Sequence, residues 1–268
     1  MTVFGSTSAA EPELPSSARI YDYALGGKDN YEVDRLALEK VMRTFPTLRT
    51  AARHNREFMH RAVDTLSEAG VRQFLDIGTG IPTEPNLHQV AQARSPESRV
   101  VYVDNDRVVV AHARALLGGA PEGRTAFVEA DLNRPESILA VPEVVETLDL
   151  NAPVALSLVA VLHFLSDEQD PAGVVKTLLD GLAPGSFVVA SHITADLDPD
   201  GMEQAFEMYR QQAVYVQARS RDEVAALFDG LEILDPGIVT VNRWRPPIEP
   251  PAWLDAQINC YGVVARKP

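Results

Sequence analysis

The stretch FLDIGTGIP, Phe74 to Pro82, gathers residues that can do chemistry: an apolar run, Asp76, and two glycines at positions 78 and 80. Gly78 and Gly80 let a turn pass close to a ligand, and Asp76 would set a carboxylate beside that crevice. The fingerprint for a dinucleotide pyrophosphate needs a third glycine where this chain has Thr83. Pro82 and Pro85 reshape the loop further and delay the next helix to Asn86. An acid beside the loop suits an uncharged or cationic linkage better than a pyrophosphate. In isolation, an ordinary glycine turn explains the same residues. Asp104 shifts that balance, because it ends RVVYVD near the spacing of an acid that accepts from ribose hydroxyls. Asp106 is better placed to cap the following helix, which leaves Asp104 free. Asp131, in FVEADL, ends a third apolar run, where a side chain can reach an adenine amino group. Acids near three successive strand ends point to an adenosine compound.

Two histidines stand near the ends of later runs, His163 in SLVAVLHF and His192 in SFVVASHIT. Either could serve as a base toward an oxygen or nitrogen nucleophile, and either could be a satisfied core or loop histidine. The sequence contains no H-E-x-x-H, no Walker loop and no G-x-S-x-G. His60, His88 and His112 lie on helical stretches without metal-ligand spacing. Cys260 is the only cysteine, so an intramolecular disulfide and a thiolate zinc cluster are both excluded.

The elements that must position these residues follow from periodicity. QFLDI, RVVYVD, TAFVEAD, a segment of APVALSLVAVLHF, and SFVVASHIT read as five strands. Each is short and nearly unbroken rather than alternating, the pattern of a parallel sheet covered on both faces. Helical stretches separate them, including NLHQVAQAR and RVVVAHARALLG. Before residue 71 the chain is helical, with Phe58, Ala62, Val63 and Leu66 on one face and Gly70 as a C-cap. After the fifth strand come two helices over 201–228, the second opened by a Ser220–Glu223 capping box, and then a final pair of strands. The expected fold is α/β: a doubly wound, mostly parallel sheet with a helical N-terminal extension. Residues 1–16 read as a flexible tail, residues 17–70 as a lid and helices, and residues 71–268 as the α/β core. In VNRWRPP, Trp244 is expected to anchor the sheet edge rather than meet a substrate.

The segment RIYDYALGGKDNY, Arg19 to Tyr31, fits neither a regular helix nor a buried strand by pattern. Gly26 and Gly27 would let it turn over the crevice as a lid. Arg19 pairing with Asp22 or Asp34, and an ordinary glycine turn, is the alternative. Acidic side chains outnumber Lys and Arg by 38 to 24, a formal charge of -14 that makes nucleic acid and anionic membranes poor partners. No apolar run is long enough to cross a bilayer, and the N-terminus lacks a secretory pattern, so a cytoplasmic protein is expected.

FLDIGTG, VVYVDND and VEADL together resemble the nucleoside-binding motifs of class I S-adenosylmethionine-dependent methyltransferases. SARIYDYALGGKDNYEVDR, RHNREFMHRAV, DIGTGIPT and VNRWRP are similar to a narrower actinobacterial family, the S-adenosyl methyltransferases of unassigned substrate. The resemblance runs from about Ser17 to the C-terminus and implies a Rossmann-like, seven-stranded sheet. It implies S-adenosylmethionine as cofactor and S-adenosylhomocysteine as product, with Asp76, Gly78 and Gly80 at the methionine end. Asp104 would take the ribose hydroxyls, Asn105 would lie beside the adenine, and Asp131 with Leu132 would complete the adenine site. Under that reading Arg19 would meet the methionine carboxylate, and Tyr21, Tyr23 or Tyr31 would line the sulfonium side. Arg53, Asn55 and Arg56 are weaker candidates for the same wall. His163 and His192 are the candidate bases for a small-molecule acceptor, which would suit secondary metabolism. A sensing module that binds the adenosine ligand without turnover, and an NAD-dependent oxidoreductase, are the competing functions. A homodimer is compatible with the sequence but not specified by it.

Overall fold

The computed structural model describes residues 12–116 and 118–268, with the side chain of residue 116 also left aside. Most of the expected N-terminal tail lies outside the described residues. Three helices come first: α1 (Ser17–Leu25), α2 (Glu32–Val41) and α3 (Leu48–Glu68). Strands and helices then alternate as β1 (Gln73–Ile77), α4 (Leu87–Arg94), β2 (Arg99–Asp104), α5 (Arg107–Leu116) and β3 (Arg124–Glu129). Short helices α6 (Pro135–Leu139) and α7 (Pro142–Thr147) lead into β4 (Ala155–Val159), α8 (Pro171–Asp180) and β5 (Phe187–Ile193). The chain closes with α9 (Pro199–Gln211), α10 (Arg221–Ala226), β6 (Glu232–Ile233), β7 (Val239–Thr240), α11 (Asp255–Ile258) and β8 (Cys260–Arg266).

The strands form one sheet in the order β3-β2-β1-β4-β5-β8-β6, with β7 also paired to β8. Strands β1 to β5 are parallel, and β8 runs antiparallel to β5 and to both short strands. The expected seven positions are present, but the outermost is split into β6 and β7, giving eight strands. Pro236 and Gly237 interrupt the apolar pattern between the two pieces, and a proline cannot donate to a ladder.

Burial on both faces explains the unbroken apolar runs. Phe74, Val100 and Val189 belong to a core shared with α1–α3, whereas Leu75, Val101 and Val188 belong to a second core with α6–α8 and α10. Phe58 of α3 lies so close to Gly262 of β8 that a Cβ there would come within 2.9 Å of its ring. Trp244 is fully buried and meets Phe58 edge-on, their centroids 5.6 Å apart, the structural role the sequence suggests.

Residues Ser17–Leu25 form a regular helix, contrary to the expectation of an irregular lid segment. Gly26 ends it in the left-handed conformation, φ 87°, with its N–H turned back to the carbonyls of Asp22 and Tyr23. Gly27 leaves room for the Asp22 carboxylate, which accepts from the Asp29 N–H at 3.0 Å and from Asn30 Nδ2 at 2.7 Å. Arg19 pairs with Asp34, the second of the two alternatives, Nε to Oδ2 at 2.7 Å with both side chains buried. Asp34 also accepts from the Tyr31 N–H and the Ser16 N–H, each at 2.9 Å. Removing one partner of a buried pair strands the other charge, at a cost of about 3–5 kcal/mol. Asp34→Ala is therefore expected to lower the unfolding free energy by about that amount, measured by urea denaturation, with Asp34→Asn falling between it and the wild type.

Candidate active site

Strand order reverses direction between β1 and β4, which opens a crevice beyond the carboxyl ends of the parallel strands. A cavity of about 460 Å³ occupies it, with the strand-end loops on one side and residues of α1 and α3 on the other. Asp76, Gly78, Gly80, Asp104 and Asn105 line it, as do Asp131, Leu132, Tyr21 and His163.

Gly78 and Gly80 both have positive φ, 74° and 66°. A Cβ at Gly78 would approach Val161 Cγ2 to 2.5 Å, so the β1 and β4 loops touch there through a bare backbone. The Gly80 N–H donates to Asp104 Oδ2 at 2.9 Å, and the Asp106 N–H donates to Oδ1 at 2.9 Å. Each carboxylate oxygen of Asp104 thus keeps acceptor capacity toward the cavity. Burial raises the pKa of Asp104 in spite of these bonds. Asp106 caps α5, accepting from the Val108 N–H at 2.8 Å, and its other oxygen accepts from Ser16 Oγ at 3.1 Å. Asp131 lies two residues past β3 instead of ending it, and accepts from the Asn133 N–H and Nδ2 at 2.9 Å each.

Asp76 sits in register with Ser157 of β4, at the switch point itself. Burial pushes its pKa up to about 6, and the positive charge of Arg56 pulls the other way. Arg56 is the only cationic side chain among the described lining residues. Its Nη2 donates to the carbonyls of Thr83 and Pro85, and its Nε is buried without a partner. Beside it, Asn55 Nδ2 donates to the Tyr21 hydroxyl at 2.9 Å, which donates in turn to the Ala52 carbonyl at 3.1 Å. Asn55 Oδ1 is left buried and unpartnered.

Five expected site residues, Arg19, Tyr23, Tyr31, Arg53 and His192, do not line the cavity. Arg19 spends its guanidinium on Asp34 and on the Leu14 carbonyl, 2.9 Å away, so it does not face a methionine carboxylate. Tyr31 sits at the N-cap of α2, its ring 5.5 Å beneath the Arg19 guanidinium. His192 stands one residue before the end of β5, opposite Tyr261, and does not line the cavity. Its Nδ1 donates to the Ile193 carbonyl at 2.8 Å and its Nε2 accepts from Arg219 Nη1 at 3.0 Å, which leaves no nitrogen for catalysis. Burial holds His192 neutral, its pKa pushed down to about 4. His163 differs: it follows β4 on a short turn, Leu162–Phe164, and its Nδ1 has no partner. Burial, with the neighbouring His192 and Arg219, holds it well below the ordinary histidine pKa.

The sequence reading undervalued Asn55 and Arg56, and it did not identify Phe164, Val214 or Val216 as wall residues. A polar pair on the buried face of α3 was the available signal for the first two. Nothing in the local sequence marked the others, which reach the crevice only through the fold.

A family model described as S-adenosyl methyltransferase matches residues 6–268. A DUF574 family protein from Streptomyces avermitilis is 48% identical, with 96% of this chain and 98% of that chain covered at a TM-score of 0.91. A methyltransferase candidate from Thermobifida fusca is 37% identical, with 95% of each chain covered and a TM-score of 0.88. Human N-acetylserotonin methyltransferase, solved with S-adenosylmethionine, shares the fold alone: 15% identity, TM-score 0.51, with 92% of this chain and 62% of that chain covered. No curated protein matches the chain. Sheet order and family match together define a Rossmann-like, S-adenosylmethionine-dependent methyltransferase. Within that class, the chain belongs to the S-adenosyl methyltransferase family and is related to actinobacterial members. Among the described residues, no helix is long and apolar enough to cross a membrane.

The Asp76 carboxyl gives the site a testable pH signature. Its folded-state pKa is raised, so its stabilising contribution is complete below about pH 4 and is lost as pH rises through about 6. The side chain is partly open to the cavity, which trims the effect to about 1–3 kcal/mol. Asp76→Asn should therefore gain about that much stability relative to wild type between pH 4 and pH 7. Urea unfolding of both proteins across that range checks it; a constant difference would contradict the assignment.

Proposed function

We propose that the protein transfers a methyl group from S-adenosylmethionine to an oxygen or nitrogen atom of a small molecule. The observation that carries this reading is the carboxylate of Asp104, fixed by the Gly80 and Asp106 amides and still able to accept from a ribose diol. Four acids line the cavity, Asp76, Asp104, Asp106 and Asp131, which suits a ligand with net positive charge. The unpartnered Arg56 Nε and Asn55 Oδ1 offer one donor and one acceptor, the complement of an amino-acid zwitterion. Asp76, Gly78, Asn55 and Arg56 would hold the methionine end, Asp104 and Asn105 the nucleoside, and Asp131 with Leu132 the adenine. Bound there, S-adenosylmethionine would supply a methyl carbon to which an oxygen or nitrogen nucleophile bonds as the carbon–sulfur bond breaks, with S-adenosylhomocysteine as the leaving group.

The chain's own part is to align the acceptor and take its proton. His163 is the group placed for that. It stays neutral across the physiological range, its unpartnered Nδ1 is buried at the cavity wall, and the acceptor's proton becomes acidic as its bond to the methyl forms. Helix α1 closes the crevice against water, tied to the β2–α5 loop by Ser16 and Asp106.

Calorimetric titration with S-adenosylhomocysteine is the direct test. Asp104→Ala is expected to weaken binding about 10- to 100-fold, the worth of charge-assisted hydrogen bonds. His163→Ala is expected to leave that affinity unchanged and to lower kcat about 10²- to 10⁴-fold. Absence of binding to folded wild-type protein would remove the reading.

A further inference from the structure

The lining of the cavity divides along the sheet. Every acidic lining residue comes from the ends of β1, β2 or β3. Beyond β4 the character changes. Phe164 and Leu165 follow β4, Ile193 ends β5, Val214 and Val216 follow α9, and Cys260 starts β8. None of the described lining residues after Asp131 carries a charge. Phe45, Leu48 and Met59, from the α2–α3 connection and α3, add further uncharged side chains to the lining. Four rings stand in the wall, Tyr21, Phe45, Phe164 and Tyr209.

We infer that the acceptor is a neutral, largely hydrocarbon aromatic molecule carrying a hydroxyl group, held over β4, β5 and β8 between these rings. The inference rests on the methyltransferase reading and narrows it. A carboxylate or ammonium acceptor would give up its hydration with no counter-charge in this half of the cavity, whereas a flat aromatic molecule gains apolar and edge-to-face contacts. The polar groups available match a single hydroxyl. Tyr209 lines the cavity and its hydroxyl makes no hydrogen bond among the described residues, while burial keeps it protonated as a donor. His163 offers the complementary acceptor through Nδ1. The wall itself is firmly held: the Gln217 N–H donates to the His163 carbonyl at 2.8 Å, and Arg219 bridges the Leu165 carbonyl and Asp167 at 3.1 and 2.6 Å. The Val214–Arg219 segment is thus fastened to the turn that carries His163.

Four probes with one ring system test this in protein saturated with S-adenosylhomocysteine: 2-naphthol, 2-naphthoate, 2-(aminomethyl)naphthalene and naphthalene, followed by naphthalene fluorescence. The naphthol is expected to bind at least tenfold more tightly than either charged analogue. Val216→Lys should reverse the order of naphthol and naphthoate by placing a cation in the wall. Should that variant fail to fold, Tyr209→Phe should weaken naphthol binding about fivefold and leave naphthalene binding unchanged. Equal or tighter binding of a charged analogue to the wild type would overturn the inference, as would S-adenosylhomocysteine binding with no binding of the naphthol. Failure of S-adenosylhomocysteine itself to bind would overturn the methyltransferase reading, and the inference with it.

Discussion

The buried carboxylate of Asp34 is the constraint on which the entry to the crevice depends. It accepts from the start of α1 through the Ser16 N–H, from the body of α1 through Arg19, and from the start of α2 through the Tyr31 N–H. A buried ion pair gains little net stability over an apolar contact, so its contribution here is geometric. It fixes α1 at one angle, and that angle lets Ser16 reach Asp106 and Tyr21 reach Asn55. The cavity wall and the start of α2 are thus joined through one unexposed aspartate.

The second constraint is the switch between β1 and β4. A glycine at position 78 lets the two loops touch, and Asp76 faces the gap from a strand otherwise buried on both faces. The carboxyl is held in a state that ionises near neutrality, which a bound cation would favour. Acids whose pKa is raised by burial in a crevice are a common arrangement at functional sites.

Much of the fold was legible because strands buried on two faces must be continuously apolar, and five such runs stand in the sequence. The acids at β1 and β2 were legible for a related reason, since an acid that interrupts an apolar run marks the place where the strand leaves the core. Helix α1 was not legible: its tyrosines, with two glycines just beyond its end, carry no clear period, and its Arg19 is paired with Asp34, fifteen residues further on. The end of β5 near His192 was legible, but its role was not, because an apolar run does not show that Arg219 and the Ile193 carbonyl already occupy both ring nitrogens. Arg19 was misassigned for the same reason that α1 was missed. Only tertiary packing reveals that its charge is already committed.

The division of the cavity has a consequence for how such a chain can change over time. Residues facing the acidic half come from segments before residue 135, and much of the uncharged wall comes from segments after residue 160. Substitutions at Val214, Val216 or Ile258 alter the shape of the second half without touching Asp104 or the glycine loop. The shape of the uncharged wall can therefore change while the acids and the glycine loop of the other half stay as they are.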